Sequence, residues 1–234
     1  MNHFTQTIGV NGARLTGFLS DAGRGASTGS VLVVPGGGYM TLSPGEAEPV
    51  ALAYLAEGFH AFVLHYSVGA EATFAQALED AEAAVAEIRL HADEWGVAPR
   101  RLAMIGFSAG GHLAASLGTV GTNRPDALLL GYAITTDITL GAGREYPPVV
   151  PHVGNGNPPT FLFATGEDAV VPVRHTLAFA AALDEAGVEF ELHVFRDGPH
   201  GLGLARPREG ATVAPPAFAE WFGLSVRWLR RRWC

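Results

Sequence analysis

Two pentapeptides in this chain share the frame Gly-x-Ser-x-Gly: Gly25-Ala26-Ser27-Thr28-Gly29 and Gly106-Phe107-Ser108-Ala109-Gly110. A serine in such a frame can act as an acyl-transfer nucleophile when it sits on a sharp strand-to-helix turn, where flanking glycines let the backbone crowd without Cβ clashes. With 30 glycines in 234 residues the spacing alone does not separate the two copies. Context does. Ser108 follows the apolar run "RLAMIG" and opens "AGGHLAASL", so it has a strand behind and a helix ahead. Ser27 has a glycine-rich loop behind and a strand ahead, and reads as a surface turn.

An attacking serine needs backbone amides aimed at the oxyanion that develops. Gly36-Gly37-Gly38, directly after the apolar run "VLVVP", supplies residues without side chains that can approach a substrate oxygen. Gly37 and Gly38, with the amide of Ala109 next to the nucleophile, are the expected donors. The general base should be a histidine oriented by a carboxylate. Among nine histidines, His200 in the glycine-flanked "RDGPHGLGLA" is favoured, with His175 and His152 as competitors. His193 and His65 alternate within strands, and His112, one turn past Ser108, is expected beneath the elbow. For the acid, "TFLFATGEDAVVP" offers both Glu167 and Asp168, and Asp137 after "GYAITT" reads as a loop or capping residue.

These residues need a scaffold, and the chain alternates short apolar runs with longer amphipathic stretches, the pattern of βαβ units around a mainly parallel sheet. Strands are expected at 30–35, 60–66, 101–106, 127–134, 160–165 and 190–195, near-continuously apolar because helices cover both sheet faces. An antiparallel edge hairpin is expected around Asn11-Gly12. Helices are expected over 46–57, 73–94, 109–117, 173–186 and 216–232, the second carrying a stripe of Phe74, Leu78, Ala81, Val85, Ile88 and Ala92. The segment 136–159, rich in Gly, Pro and Asn, reads as a long loop over one end of the sheet.

The balance of charge narrows the partners. A formal charge of −8 disfavours nucleic acid and anionic membrane, both of which reward basic surfaces, and leaves a small uncharged substrate as the natural partner. The single cysteine, Cys234, allows no intrachain disulfide. No apolar stretch reaches the ~18 residues of a membrane span and no signal-peptide pattern opens the chain, so a single cytoplasmic domain over 1–234 is expected. The histidines lack clustered ligand spacing, so no metal or organic cofactor is expected.

With the segments placed, "PGGGYMTLSPGEAEPVA", "GFSAGGHLAASLGT", "NPPTFLFATGEDAVVPV" and "ELHVFRDGPHGLGLA" together resemble the α/β-hydrolase superfamily, and within it the small acetylesterase or xylanase-associated, feruloyl-esterase-like branch. The resemblance spans about residues 30 to 230 and rests on the order of the four segments. It implies an α/β-hydrolase fold with a reduced cap and selects Asp168 over Glu167. The implied set is Ser108 as nucleophile, Asp168 as acid and His200 as base, in the order usual for that fold. Pro35 stands where many related esterases have a histidine before the glycines. The implied activity is serine carboxylester hydrolysis of short acyl groups, acetyl first and carbohydrate esters among them. A serine peptidase or amidase of the same fold and a non-catalytic binding protein are the alternatives.

Overall fold

The structure, a computed structural model, describes residues 2–21, 29–140, 144–205 and 215–233. Ser27 and most of its motif lie outside them. Eight strands form the principal sheet: β1 (Asn2–Ile8), β2 (Ala13–Leu19), β3 (Ser30–Val34), β4 (His60–His65), β5 (Leu102–Phe107), β6 (Ala127–Gly131), β9 (Thr160–Thr165) and β10 (Phe190–Phe195). Their spatial order is β1-β2-β4-β3-β5-β6-β9-β10. β1 and β2 are the expected hairpin at the edge, and β2 also runs antiparallel to β4. All other neighbours are parallel.

Successive side chains of a strand face opposite ways, so each apolar strand feeds two cores. Leu32 and Val34 of β3 pack with α2 (Phe74–Leu90), α4 (Ala109–Val120) and α5 (Arg174–Glu185), contributing Val85, Leu113 and Phe179. Val31 and Val33 pack on the other face with α1 (Glu48–Ala56) and α6 (Pro216–Trp233), contributing Tyr54, Trp221 and Trp228. Covering helices on both faces explain why these strands carry no polar alternation.

Three expectations change. The helix expected over 73–94 divides: α2 starts on a capping box between Thr73 and Gln76 but ends at Leu90, and α3 (Ala92–Trp95) follows. His91 leaves helical geometry at φ −97°, ψ 18°, and the short second helix turns Trp95 onto the rings of Phe4 and Phe62. The strand expected over 127–134 ends at Gly131, because Tyr132 adopts φ +37°. The segment 136–159 is not wholly irregular; β7 (Thr139–Leu140) pairs with β8 (Arg144–Glu145), and a 3₁₀ turn covers Val150–His152. Its described residues hold no α-helix. No helix among the described residues is long and apolar enough to cross a membrane.

Candidate active site

Ser108 joins β5 to α4 with φ +53° and ψ −118°, a conformation that a non-glycine residue rarely adopts. Its N–H donates to the Gly131 carbonyl at 3.0 Å, and its carbonyl accepts from the His112 amide at 2.9 Å, so the turn is bonded to both neighbouring elements. The flanking glycines are required by contact: a Cβ on Gly106 would strike the Gly110 carbonyl, and one on Gly110 would strike the carbonyls of Val34 and Pro35. The elbow therefore presses against the end of β3, from which the glycine loop departs.

His200 lies on the loop after β10 and Asp168 on the loop after β9. The imidazole Nε2 accepts from the Ser108 hydroxyl at 2.8 Å, and its Nδ1–H donates to Asp168 Oδ2 at 2.6 Å. The remaining oxygen, Asp168 Oδ1, accepts the Val170 and Val171 amides at 2.9 and 2.8 Å. With the carboxylate so bonded, the imidazole takes the tautomer that leaves Nε2 free to receive a proton. Asp168 is buried, while the His200 side chain is 17% exposed, so the chain of three opens to solvent on the histidine side.

The other candidates fall elsewhere. Glu167 is exposed and accepts the Gly198 amide at 3.2 Å; with the Thr165 hydroxyl donating to the Gly198 carbonyl at 2.6 Å, it ties the His200 loop to the Asp168 loop. His175, at the start of α5, is buried, and its Nδ1 faces the amide and hydroxyl of Thr136 at 3.2 and 2.9 Å. Burial, followed by the neighbouring Arg174, pushes its pKa down. His152 sits exposed in the 3₁₀ turn, Asp137 is exposed in the irregular stretch before β7, and His193 pairs with Glu191 within β10. His112 is buried beneath the elbow: it accepts from the Tyr39 hydroxyl at 2.8 Å and donates Nε2–H to the Pro147 carbonyl at 2.8 Å. Burial lowers its pKa to about 4.

The glycine loop lies against the nucleophile. A Cβ on Gly36 would come within 3.1 Å of Ser108 Cβ. Gly37 and Gly38 hold φ of +122° and +66°, which glycine alone adopts without strain. Among the described residues no acceptor bonds the Gly37 or Gly38 amide, and Ala109, first in α4, has no carbonyl one turn back. The Gly36 amide is already taken, donating to Glu46 Oε2 at 2.9 Å.

Two residues of this neighbourhood escape sequence reasoning. Glu46, at the start of an expected helix, reads as an ordinary first-turn acid, and Tyr132 reads as one more apolar position of a strand. In the fold Glu46 is 2% exposed, and the Tyr132 hydroxyl donates to its Oε1 at 2.7 Å. Burial, and then the Glu46 charge, hold the Tyr132 phenol well above its ordinary pKa. The faint signal was Pro44-Gly45 before the acid, which delays the helix and turns Glu46 inward as the end of a 3₁₀ turn.

A mostly parallel eight-stranded sheet, helices on both faces and a serine on a strand-to-helix elbow are the features of an α/β hydrolase. Sequence comparison agrees. A family model described as BD-FAE matches residues 18–127, and one described as the prolyl oligopeptidase family matches residues 139–222. An α/β-hydrolase enzyme from a Medee basin deep-sea metagenome library has 38% identity, with 98% of this chain and 97% of that one superposed at a TM-score of 0.88. An acetyl ester-xyloside bifunctional hydrolase from Caldicellulosiruptor lactoaceticus has 33% identity over 94% of this chain and 88% of its own, at a TM-score of 0.79. Endo-1,4-beta-xylanase B of Butyrivibrio fibrisolvens is 34% identical over 206 residues, 75% of this chain and 32% of that protein. The chain belongs to the α/β-hydrolase family. It spans less than half the length of the curated relatives it matches first, at 32% and 46%.

Proposed function

We propose that this chain is a single-domain serine carboxylesterase that removes short acyl groups, acetyl first, through an acyl-enzyme on Ser108. The observation that carries the reading is the unbroken hydrogen-bond chain Ser108–His200–Asp168, at 2.8 and 2.6 Å. His200 Nε2 takes the hydroxyl proton as Ser108 Oγ attacks the ester carbonyl carbon, and the amides of Gly37, Gly38 and Ala109 receive the oxyanion. Collapse of the tetrahedral intermediate breaks the ester C–O bond, and the alcohol leaves with the proton from His200. Water, deprotonated by the same Nε2, then attacks the acyl-enzyme, and Ser108 departs with that proton to release the acid. Asp168 holds the imidazole in place and stabilises the imidazolium in both halves.

The acetyl preference is supported by relatives whose printed names carry acetyl-ester activity. It is also supported by the segment 136–159, whose described residues hold no α-helix and so offer no helical cap as apolar surface to a long acyl chain. A peptidase or amidase reading draws support from the prolyl oligopeptidase match over 139–222. Both readings meet in one assay. Wild type and Ser108→Ala are compared on p-nitrophenyl acetate, butyrate and octanoate, an acetylated xylo-oligosaccharide and an aminoacyl anilide. The expected result is turnover that falls from acetate to octanoate and drops about 10⁴-fold or more in the variant. Ester turnover surviving in Ser108→Ala would refute the nucleophile assignment, and anilide cleavage without ester cleavage would establish the amidase instead.

A further inference from the structure

Glu46 is a buried carboxylate with no cationic partner among the salt bridges of the described residues. Burying a charge unpaired is costly, so its surroundings must supply hydrogen-bond donors. They supply two, from different parts of the chain. Oε2 accepts the Gly36 amide at 2.9 Å and Oε1 accepts the Tyr132 hydroxyl at 2.7 Å. The phenol oxygen in turn accepts the amide of Gly203, three residues past His200, at 2.9 Å. Gly203 is further held by Trp221, whose indole Nε1–H donates to its carbonyl at 2.9 Å. Any Cβ on Gly203 would come within 3.1 Å of the Gly45 carbonyl, so the histidine loop rests directly on the turn that ends in Glu46.

The other end of this network reaches the nucleophile. Gly36 is wedged so that a Cβ there would lie 2.7 Å from Glu46 Oε2, 2.9 Å from the Phe107 carbonyl and 3.1 Å from Ser108 Cβ. The Gly36 carbonyl accepts the Ser43 amide at 2.9 Å, and the Glu46 amide donates to the Ser43 carbonyl at 3.1 Å, which closes the loop 36–46 on itself. The Tyr132 ring meets the His200 imidazole edge-on, with centroids 5.0 Å apart. Tyr132 also keeps a positive φ of 37°, strain that its phenol contacts help to hold. No other carboxylate of the described residues bridges the glycine loop and the histidine loop by hydrogen bonds.

We propose that Glu46 is a positioning residue: through Gly36 on one oxygen and Tyr132–Gly203 on the other, it holds the oxyanion amides and the His200 loop in a single register about Ser108. The role rests on the serine-esterase reading above. Glu46 touches no reacting atom; both its oxygens act only as acceptors, and its contribution lies in where two loops stand. Misplacing donors or base by a fraction of an ångström weakens groups that act only in the transition state, so turnover falls while ground-state binding does not.

The experiment compares wild type with Glu46→Gln, Glu46→Ala and Tyr132→Phe. It measures kcat and KM on p-nitrophenyl acetate, the Ki of an aryl trifluoromethyl ketone whose hemiketal oxygen mimics the oxyanion, and the melting temperature. The expected result is kcat lower by roughly a hundredfold in Glu46→Ala and about tenfold in Tyr132→Phe, with KM within about threefold. Glu46→Gln keeps one acceptor for the Gly36 amide and should recover part of the Glu46→Ala loss. The ketone Ki should rise in step with each fall in kcat. The near-isosteric Glu46→Gln and Tyr132→Phe decide between the outcomes even where Glu46→Ala does not fold. A merely structural role predicts lower melting temperatures with kcat and Ki within about twofold of wild type, and that outcome overturns the proposal, as does a rise confined to KM. Ser108→Ala runs alongside: if it retains activity, the esterase reading fails, whereas an inactive Ser108→Ala beside an unimpaired Glu46→Gln fails this inference alone.

Discussion

The Ser108 hydroxyl stands 2.8 Å from Nε2 of His200 although the two residues are 92 positions apart in the chain. Replacing the imidazole should therefore remove the base without disturbing a core, since the side chain keeps 17% exposure. His200→Ala is expected to lower kcat/KM on p-nitrophenyl acetate by about 10⁴-fold at near wild-type melting temperature. His175→Ala should do the reverse, because it empties a buried position and leaves the Thr136 amide and hydroxyl without their acceptor. Its melting temperature should drop by several degrees while turnover survives. Equal activity loss in both variants would mean that the base is misassigned.

Asp168 presents one oxygen to the imidazole and the other to the Val170 and Val171 amides. In Asp168→Asn the carbonyl oxygen is drawn to those two amides, and the side-chain NH₂ then faces Nδ1. The imidazole must answer with the tautomer whose proton sits on Nε2, pointing at Ser108. A fall of roughly 10⁴-fold in kcat with little loss of stability is expected, checked by steady-state kinetics beside a thermal melt. Activity within tenfold of wild type would assign the acid's work elsewhere.

Gly110 has no room for a methyl group, since its Cβ would enter the carbonyls of Val34 and Pro35. Gly110→Ala should cost about 1–3 kcal/mol as β3 and α4 are pushed apart. Because the same carbonyls precede the glycine loop, kcat should fall as well. Urea unfolding and p-nitrophenyl acetate kinetics on one preparation give both numbers. A variant as stable and active as wild type would show that the elbow packs less tightly than described.

His112 sets an acid limit to stability. Its pKa of about 4 lies below the 6.5 of an unperturbed imidazole, so the unfolded chain takes up the proton first as pH falls. Stability is then complete above about pH 6.5 and is lost progressively as pH drops through about 4. A shift of this size amounts to about 3 kcal/mol. His60, His65 and His175, each lowered chiefly by burial, push the same way. Melts between pH 7.5 and 4.5 should fall less steeply in His112→Gln, whose amide can still accept from Tyr39 and donate to Pro147 without titrating. An unchanged slope would shift the effect to the other histidines.

Much of the architecture was legible because strand and helix periods are local. The run "VLVV", 31–34, is apolar at every position since it feeds two cores, and "TFAQALED" carries its own capping box in Thr73 and Gln76. The break at His91 was not legible, because the stripe that marked the helix continues through Ala92 while the need to seat Trp95 on Phe4 and Phe62 comes from β1 and β4. The end of β6 was hidden in the same way: Tyr132 bends for partners on two distant loops.

The same division runs through the site. Ser108 could be told from Ser27 by its neighbours alone, and His200 by its glycines, since an elbow and a loop after a strand are properties of a few consecutive residues. The residue types alone left Asp168 and Glu167 open and the family resemblance chose Asp168, but the physical reason that separates them lies in the fold. The two side chains are adjacent, and only the approach of the β10 loop turns one toward His200 Nδ1 and leaves the other to hold the Gly198 amide. Glu46 is the extreme case. Its sequence surroundings describe a charged residue at a helix start, whereas its buried bonds to Gly36 and Tyr132 exist only because parallel strands deliver their loops to one end of the sheet, where residues far apart in the chain must satisfy one another's hydrogen bonds.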